Sequence, residues 1–468
     1  MDRLKHITLV VPVVAALVGV GVIAFWVASV SVEDVEARVP GLDLRGTVGS
    51  AGDLVASGEP ELLAGDGKPA DIPGSWPWFR GARWDNIGES TPPLARQWPA
   101  EGPRKLWSVD LGEGFASPAV QNGRVFLLDY DRARRRDVLR CLSLADGKTI
   151  WSYSYPVVVK RSHGMSRTVP ALWEKLVLTL GPKCHVLCVD SATGARRWAI
   201  DLVEQYGAKV PEWYAGQCPL IDRGRAILAP AGPDALVIAV DMATGQVVWK
   251  TPNPLGWKMT HASVMPMDYG GKRSYVYCGT GGVAGVSADD GRILWSTTDW
   301  KITIATVPSP VCTSDGRIFL CGGYNAGAVM LQLSGPGDRP TVQTAFRLKA
   351  SQFGATQHTP ILYRDHLYGI REKDRELVCL DLAGQQRWHS GSEHRFGSGP
   401  FMIADGMIFA LDDDGVLTLA EAKPAGYTQL AQAKVLEGPD AWGPLTLVAG
   451  RLLVRDLNKM TCLDVRKP

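Results

Sequence analysis

The chain has 468 residues, 46% hydrophobic and 21% charged, with 51 Gly and 31 Pro, which excludes a wholly disordered or collagen-like polymer. Fifty Lys and Arg against 48 Asp and Glu leave a formal charge of +2, so no global field recruits nucleic acid. The nine cysteines are scattered without a repeated Cys-x-x-Cys, excluding a disulfide framework and a zinc ribbon.

Residues 1–32 read as a transmembrane signal anchor. From Ile7 to Val32 no residue is charged, and at about 1.5 Å rise per residue the run spans a hydrocarbon core of about 30 Å. Arg3 and Lys5 precede it while Glu33, Asp34 and Glu36 follow. The positive-inside rule then places Met1 in the cytoplasm and the remainder in the periplasm or other extracytoplasmic space, as a single-pass protein of the cytoplasmic membrane. A cleaved signal peptide is the competing reading, although its apolar region is typically about 7–15 residues. The first cysteine is Cys141, so no lipoprotein-type cysteine follows the run.

Residues 33–75 are rich in Gly, Pro, Asp and Glu without apolar periodicity and read as a flexible linker. Residues 76–104 open with Trp76-Pro77-Trp78-Phe79-Arg80-Gly81, too aromatic to stay in solvent, and read as an arm packing on the folded body.

From residue 105 onward the chain repeats itself. Gly followed four residues later by Trp occurs at Gly147/Trp151, Gly194/Trp198, Gly245/Trp249, Gly291/Trp295 and Gly384/Trp388. The tryptophans are 47, 51, 46 and 93 residues apart; the last interval is a double period with Phe346 in the vacant place. Trp107 lies 44 residues before Trp151, and Gln432–Leu436 lies about one period after Trp388, which makes eight units. A second marker, a small residue usually followed by Pro, recurs at Ser117, Val169, Cys218, Ser263, Ser309, Thr359, Gly399 and Gly443. A unit of about 46 residues with four short strands suits a propeller blade. The prediction is an all-β, eight-bladed β-propeller over 105–468, closed by pairing the strand at Trp107 with Met460–Val465, so that neither sheet edge is left open.

The strands leading from Cys188 to Trp198 and from Ala239 to Trp249 resemble the tryptophan-docking repeats of quinoprotein-type propellers, the PQQ-like repeat family. That superfamily includes pyrroloquinoline-quinone (PQQ) dehydrogenases and non-enzymatic BamB-type outer-membrane assembly factors. The resemblance implies that Trp107, Trp151, Trp198, Trp249, Trp295 and Trp388 pack between blades. Cys141, Cys188, Cys379 and Cys462 align with Ala239 and Gly285, which reads as small core positions and no metal site.

In such propellers the loops from an outer strand to the next inner strand reach the channel mouth, where family enzymes build their cofactor site. Here those loops carry His163, Arg167, Glu212, Trp213, Lys258, His261, Lys301, His358, His394, Arg395 and Trp442, the candidate ligand-binding set. Arg167, Lys258, Lys301 and Arg395 supply cations for carboxylates, and Trp213 and Trp442 supply rings. A quinone mechanism also needs calcium, which wants several oxygen ligands, and only Glu212 and Asp440 are evident.

The first functional expectation is therefore a monomeric, membrane-anchored, periplasm-facing propeller acting as a non-catalytic scaffold for an envelope protein partner, with no cofactor. The alternatives are a PQQ- and calcium-dependent alcohol or sugar dehydrogenase, and a carbohydrate or peptide receptor using Trp213, Tyr214, Phe396 and Trp442.

Overall fold

Apolar runs too short for helices, punctuated by Gly-containing turns, build eight antiparallel sheets. The computed structural model describes residues 18–22, 59–88, 92–161 and 164–467, in two units divided after Leu42. In the first unit residues 18–22 are helical. The rest of the apolar run Ile7–Val32, and with it the anchor reading, lies outside the described residues. Among the described residues no helix is long and apolar enough to cross a membrane.

In the second unit each sheet is one blade: 119–156, 171–201, 220–251, 265–297, 311–348, 361–389, 401–434 and 446–464, numbered I to VIII. The eightfold expectation holds. So does the closure, because Arg104–Asp110 is the outermost strand of blade VIII, pairing antiparallel with Lys459–Asp464.

The repeat marks follow from how one blade seats on the next. Trp107, Trp151, Trp198, Trp249 and Trp388 each donate an indole N–H to a carbonyl of the following blade, at 2.8–3.3 Å. The paired glycines sit at φ of +73° to +79° against the preceding ring, where a Cβ would stand under 3.0 Å from it: Gly147 on Trp107, Gly194 on Trp151, Gly245 on Trp198, Gly291 on Trp249 and Gly384 on Phe346. Glycine is required twice over, for the left-handed backbone and for the close approach.

Across the strand, the residue facing each ring is small: Cys141, Cys188, Ala239, Gly285, Cys379 and Cys462. Blades V and VII reverse or relax the sizes, with Met330 facing Phe346 and Leu419 facing Ala431. In every blade the register slips just after this pair, which bends the outer strand around the ring. The thiols are thus packing atoms, and eight of the nine free cysteines are buried.

The second marker has its own cause. Backbone N–H groups step round the channel onto the side chain one blade ahead: Val169 to Cys218, Cys218 to Ser263, Ser263 to Ser309 and Ser309 to Thr359, at 2.8–3.3 Å. A short hydroxyl or thiol fits there, and the proline that usually follows starts the inner strand.

Residues 76–88 lie across the central channel. Ser75–Trp76 extends the inner edge of blade I and Ile87–Gly88 that of blade VII. Between them Arg80, 5% exposed, donates to the carbonyls of Trp84, Asp85, Thr359 and Pro360. Within 33–75, read as a linker from composition, Glu61–Ala64 instead forms a strand on the outer edge of blade I. Glu61 reaches Arg134 at 2.6 Å, and Leu62 lies beside the Gly194 turn of blade II, so this edge is covered from within the chain.

Candidate functional site

Each connection between blades leaves an outer strand and returns to the next inner strand. Those entering blades III, IV and V surround a cavity of about 660 Å³, lined by 209–213, 258–261, 301–306 and Thr280. The first is shaped by a short helix, Leu202–Tyr206, whose N-cap Asp201 accepts from the N–H groups of Val203 and Glu204 and which ends at Gly207, φ 64°. Asp and Gly at these positions are the expected start and stop.

Past the helix, Trp213 and Tyr214 both take left-handed backbone angles, φ 64° and 70°. Such conformations cost on the order of 1–3 kcal/mol each and persist only where neighbours enforce them. The enforcement is visible: the buried Tyr214 hydroxyl donates to the Lys160 carbonyl at 3.1 Å and accepts the Lys160 N–H at 2.9 Å. The turn sets the Trp213 ring 6.1 Å from the His261 ring.

Lys209, Lys258 and Lys301 stand exposed in the lining and make no ion pair among the described residues. Glu212 is the single carboxylate there. His261 adds no charge near neutral pH: burial and the cationic Arg167 push its pKa down to about 4, against a hydrogen bond to the Glu212 backbone. The cavity is therefore cationic, with an apolar floor that includes Met259, Ile302 and Ala305.

Of the eleven candidate residues, five line this cavity: Glu212, Trp213, Lys258, His261 and Lys301. His163 lies outside the described residues. Arg167 and Trp442 join a second group, with the Arg167 guanidinium 5.9 Å over the Phe115 ring and Phe115 5.0 Å from Trp442, whose indole donates to Asp413 at 2.6 Å. His358 is held neutral; burial lowers its pKa to about 4, a hydrogen bond to the Ser398 backbone opposes this, and the charge of Arg80 adds to it. His394 packs 5.0 Å from Tyr427 and Arg395 bridges to Glu376 through the backbone, so neither joins the cavity. Lys209 and the exposed Ile304 belong to it and were missed; the helix signals Asp201 and Gly207 mark where the Lys209 loop begins.

The family model described as outer membrane protein assembly factor BamB matches residues 134–388, more than half of the chain. The chain belongs to the BamB family. BamB from Moraxella catarrhalis aligns with a TM-score of 0.53 at 14% identity, covering 77% of this chain and 99% of that one. The computationally designed protein Ika8 aligns equally well, 0.53 at 10% identity with the same coverages, so likeness at this level speaks for the fold alone. A curated relative, 1-butanol dehydrogenase (quinone) of Thauera butanivorans, is 24% identical over 161 residues, 32% of this chain. That match spans only 24% of the relative's own length.

A BamB-family propeller with quinoprotein relatives raises the question of whether quinone and calcium fit. The lysines suit the carboxylates of such a quinone. The oxygen donors do not suit its cation, because the lining offers one carboxylate, Glu212, and calcium takes six to eight oxygens. Among the described residues no three His, Cys, Asp or Glu side chains are grouped to hold a metal ion.

Proposed function

We propose that this BamB-family chain is a membrane-anchored scaffold facing the extracytoplasmic space, which binds an envelope protein and performs no chemistry of its own. The observation that carries the reading is the donor set of the cavity: three exposed lysines, one carboxylate and a histidine held neutral. That set attracts an anionic ligand through charge, and its single carboxylate does not make an oxygen cage for a metal. The charge asymmetry across Ile7–Val32 supports the anchor and its direction.

Cross-linking in intact cells followed by affinity capture of the full chain tests the scaffold: a specific envelope protein should be recovered. An alkaline phosphatase fusion after residue 58 should be active, reporting export. The reading falls if capture recovers no partner while PQQ and calcium give a saturable absorbance change and reduction of an artificial electron acceptor. A single species of monomer mass by light scattering is expected for the detergent-solubilised chain.

A further inference from the structure

Four successive connections between blades, entering blades II to V, each present an exposed lysine with no ion pair among the described residues: Lys160, Lys209, Lys258 and Lys301. On the same face of blade I, Arg135 is also exposed without an ion pair among the described residues, whereas four other arginines are already partnered. Arg132 and Arg161 meet Glu113, Arg134 meets Glu61 and Arg140 meets Asp129. The positive charge left for a ligand thus runs along these connections, and on to the exposed Lys349 in the connection entering blade VI, in a band that passes over the cavity.

Beside this band stand large apolar side chains that the fold leaves in solvent. Leu255 is 56% exposed and Ile304 55%, on the connections into blades IV and V; Tyr324, 41% exposed, is on the turn between the second and third strands of blade V, at the same end of the wheel. Exposed apolar groups rimming a charged concavity mark an interaction site.

We propose that this face takes an extended acidic polypeptide segment, its carboxylates on the lysine band and its intervening apolar side chains on Ile304, Leu255 and the cavity floor. The proposal rests on the scaffold reading and names the chemistry of the partner. An extended segment presents side chains to alternate sides about every 3.3 Å. It therefore delivers both kinds of group to one groove. A lipid surface is the other anionic partner with apolar content, but a plane of headgroups meets only the rim of a concavity, whereas side chains enter one of about 660 Å³.

The test uses the full chain in neutral detergent and two fluorescein-labelled octapeptides, one alternating Asp and Leu, the other Lys and Leu. Anisotropy should show saturable binding of the acidic peptide, at least ~10-fold tighter than the basic one, weakening as salt is raised. Lys258→Glu with Lys301→Glu should weaken it ~10-fold or more. Ile304→Ser should weaken it ~3-fold without changing the salt dependence, with unaltered melting showing both variants folded. Equal affinity for the two peptides, or binding indifferent to these lysines, overturns the proposal. So does lysine-dependent binding of phosphatidylglycerol vesicles without binding of the acidic peptide. The two readings fail separately. Capture of an envelope partner that survives the lysine reversals removes the acidic segment and keeps the scaffold; peptide binding without any captured envelope protein removes the scaffold and keeps the cavity chemistry.

Discussion

Inside the channel, Arg80 is buried and gives hydrogen bonds to four backbone carbonyls. At the mouth over blades III to V, Lys209, Lys258 and Lys301 are exposed and unpaired among the described residues. Both regions are cationic, yet four of the five N–H donors of the guanidinium are held by fixed acceptors while the ammonium groups remain available. Charge alone does not separate a structural residue from a binding one; the occupancy of its donors does.

That contrast is broken or sharpened by measurement. Arg80→Ala should be the most damaging change, costing about 3–4 kcal/mol in urea unfolding, because the carbonyls of Thr359 and Pro360 lose their buried donor. An effect under about 1 kcal/mol would erase the distinction. Gly245→Ala should cost about 2–3 kcal/mol, from the strained backbone and the encounter with Trp198.

A smaller effect depends on pH. Burial raises the Asp137 carboxyl to about 7, the hydrogen bond from Tyr155 opposing this and Asp129 adding to it. A raised folded-state pKa gives stability that is full below the ordinary carboxylate range and lost as pH rises through about 7. Asp137→Asn should therefore gain on the wild type between pH 5 and pH 8, by about 1–2 kcal/mol in thermal or urea unfolding. His261 and His358 act with the opposite sign: their lowered pKa values give stability present above about 6.5 and lost as pH falls through about 4. At the mouth, Lys258→Ala should change stability by less than about 0.5 kcal/mol. A larger loss would make that lysine structural after all.

What could be read in the sequence was whatever the fold repeats. Phe346 was recognisable as a docking ring because it fell on a missing period, and the cysteines as packing residues because Ala239 and Gly285 share their place. The outer strand of blade VII, Gln429–Lys434, was placed three residues late at its start and two at its end, since Ala431 leaves no ring to mark it. The strand Glu61–Ala64 was hidden by its Gly- and Pro-rich surroundings; it is held by Arg134 and a neighbouring blade's turn, neither of which shows in four residues of chain. Arg80 sat in plain view inside an aromatic motif, but its partners are main-chain carbonyls, which have no sequence signature. The cavity was half legible. That connections between blades line it followed from topology, but its place over blades III to V did not, and His394, Arg395, Arg167 and Trp442 were sent elsewhere by contacts peculiar to single loops.

The pairing of Arg104–Asp110 with Lys459–Asp464 also sets a timetable for synthesis. The strand at Trp107 emerges from the ribosome before any blade is complete and has no neighbour until the third strand of the last blade has been made. Closing so long a loop costs chain entropy that grows slowly with length, so the final step joins two segments held near each other by seven seated blades. Nascent chains arrested before Lys459 should accordingly remain protease-sensitive at Arg104–Asp110, while those extended past Asp464 should not.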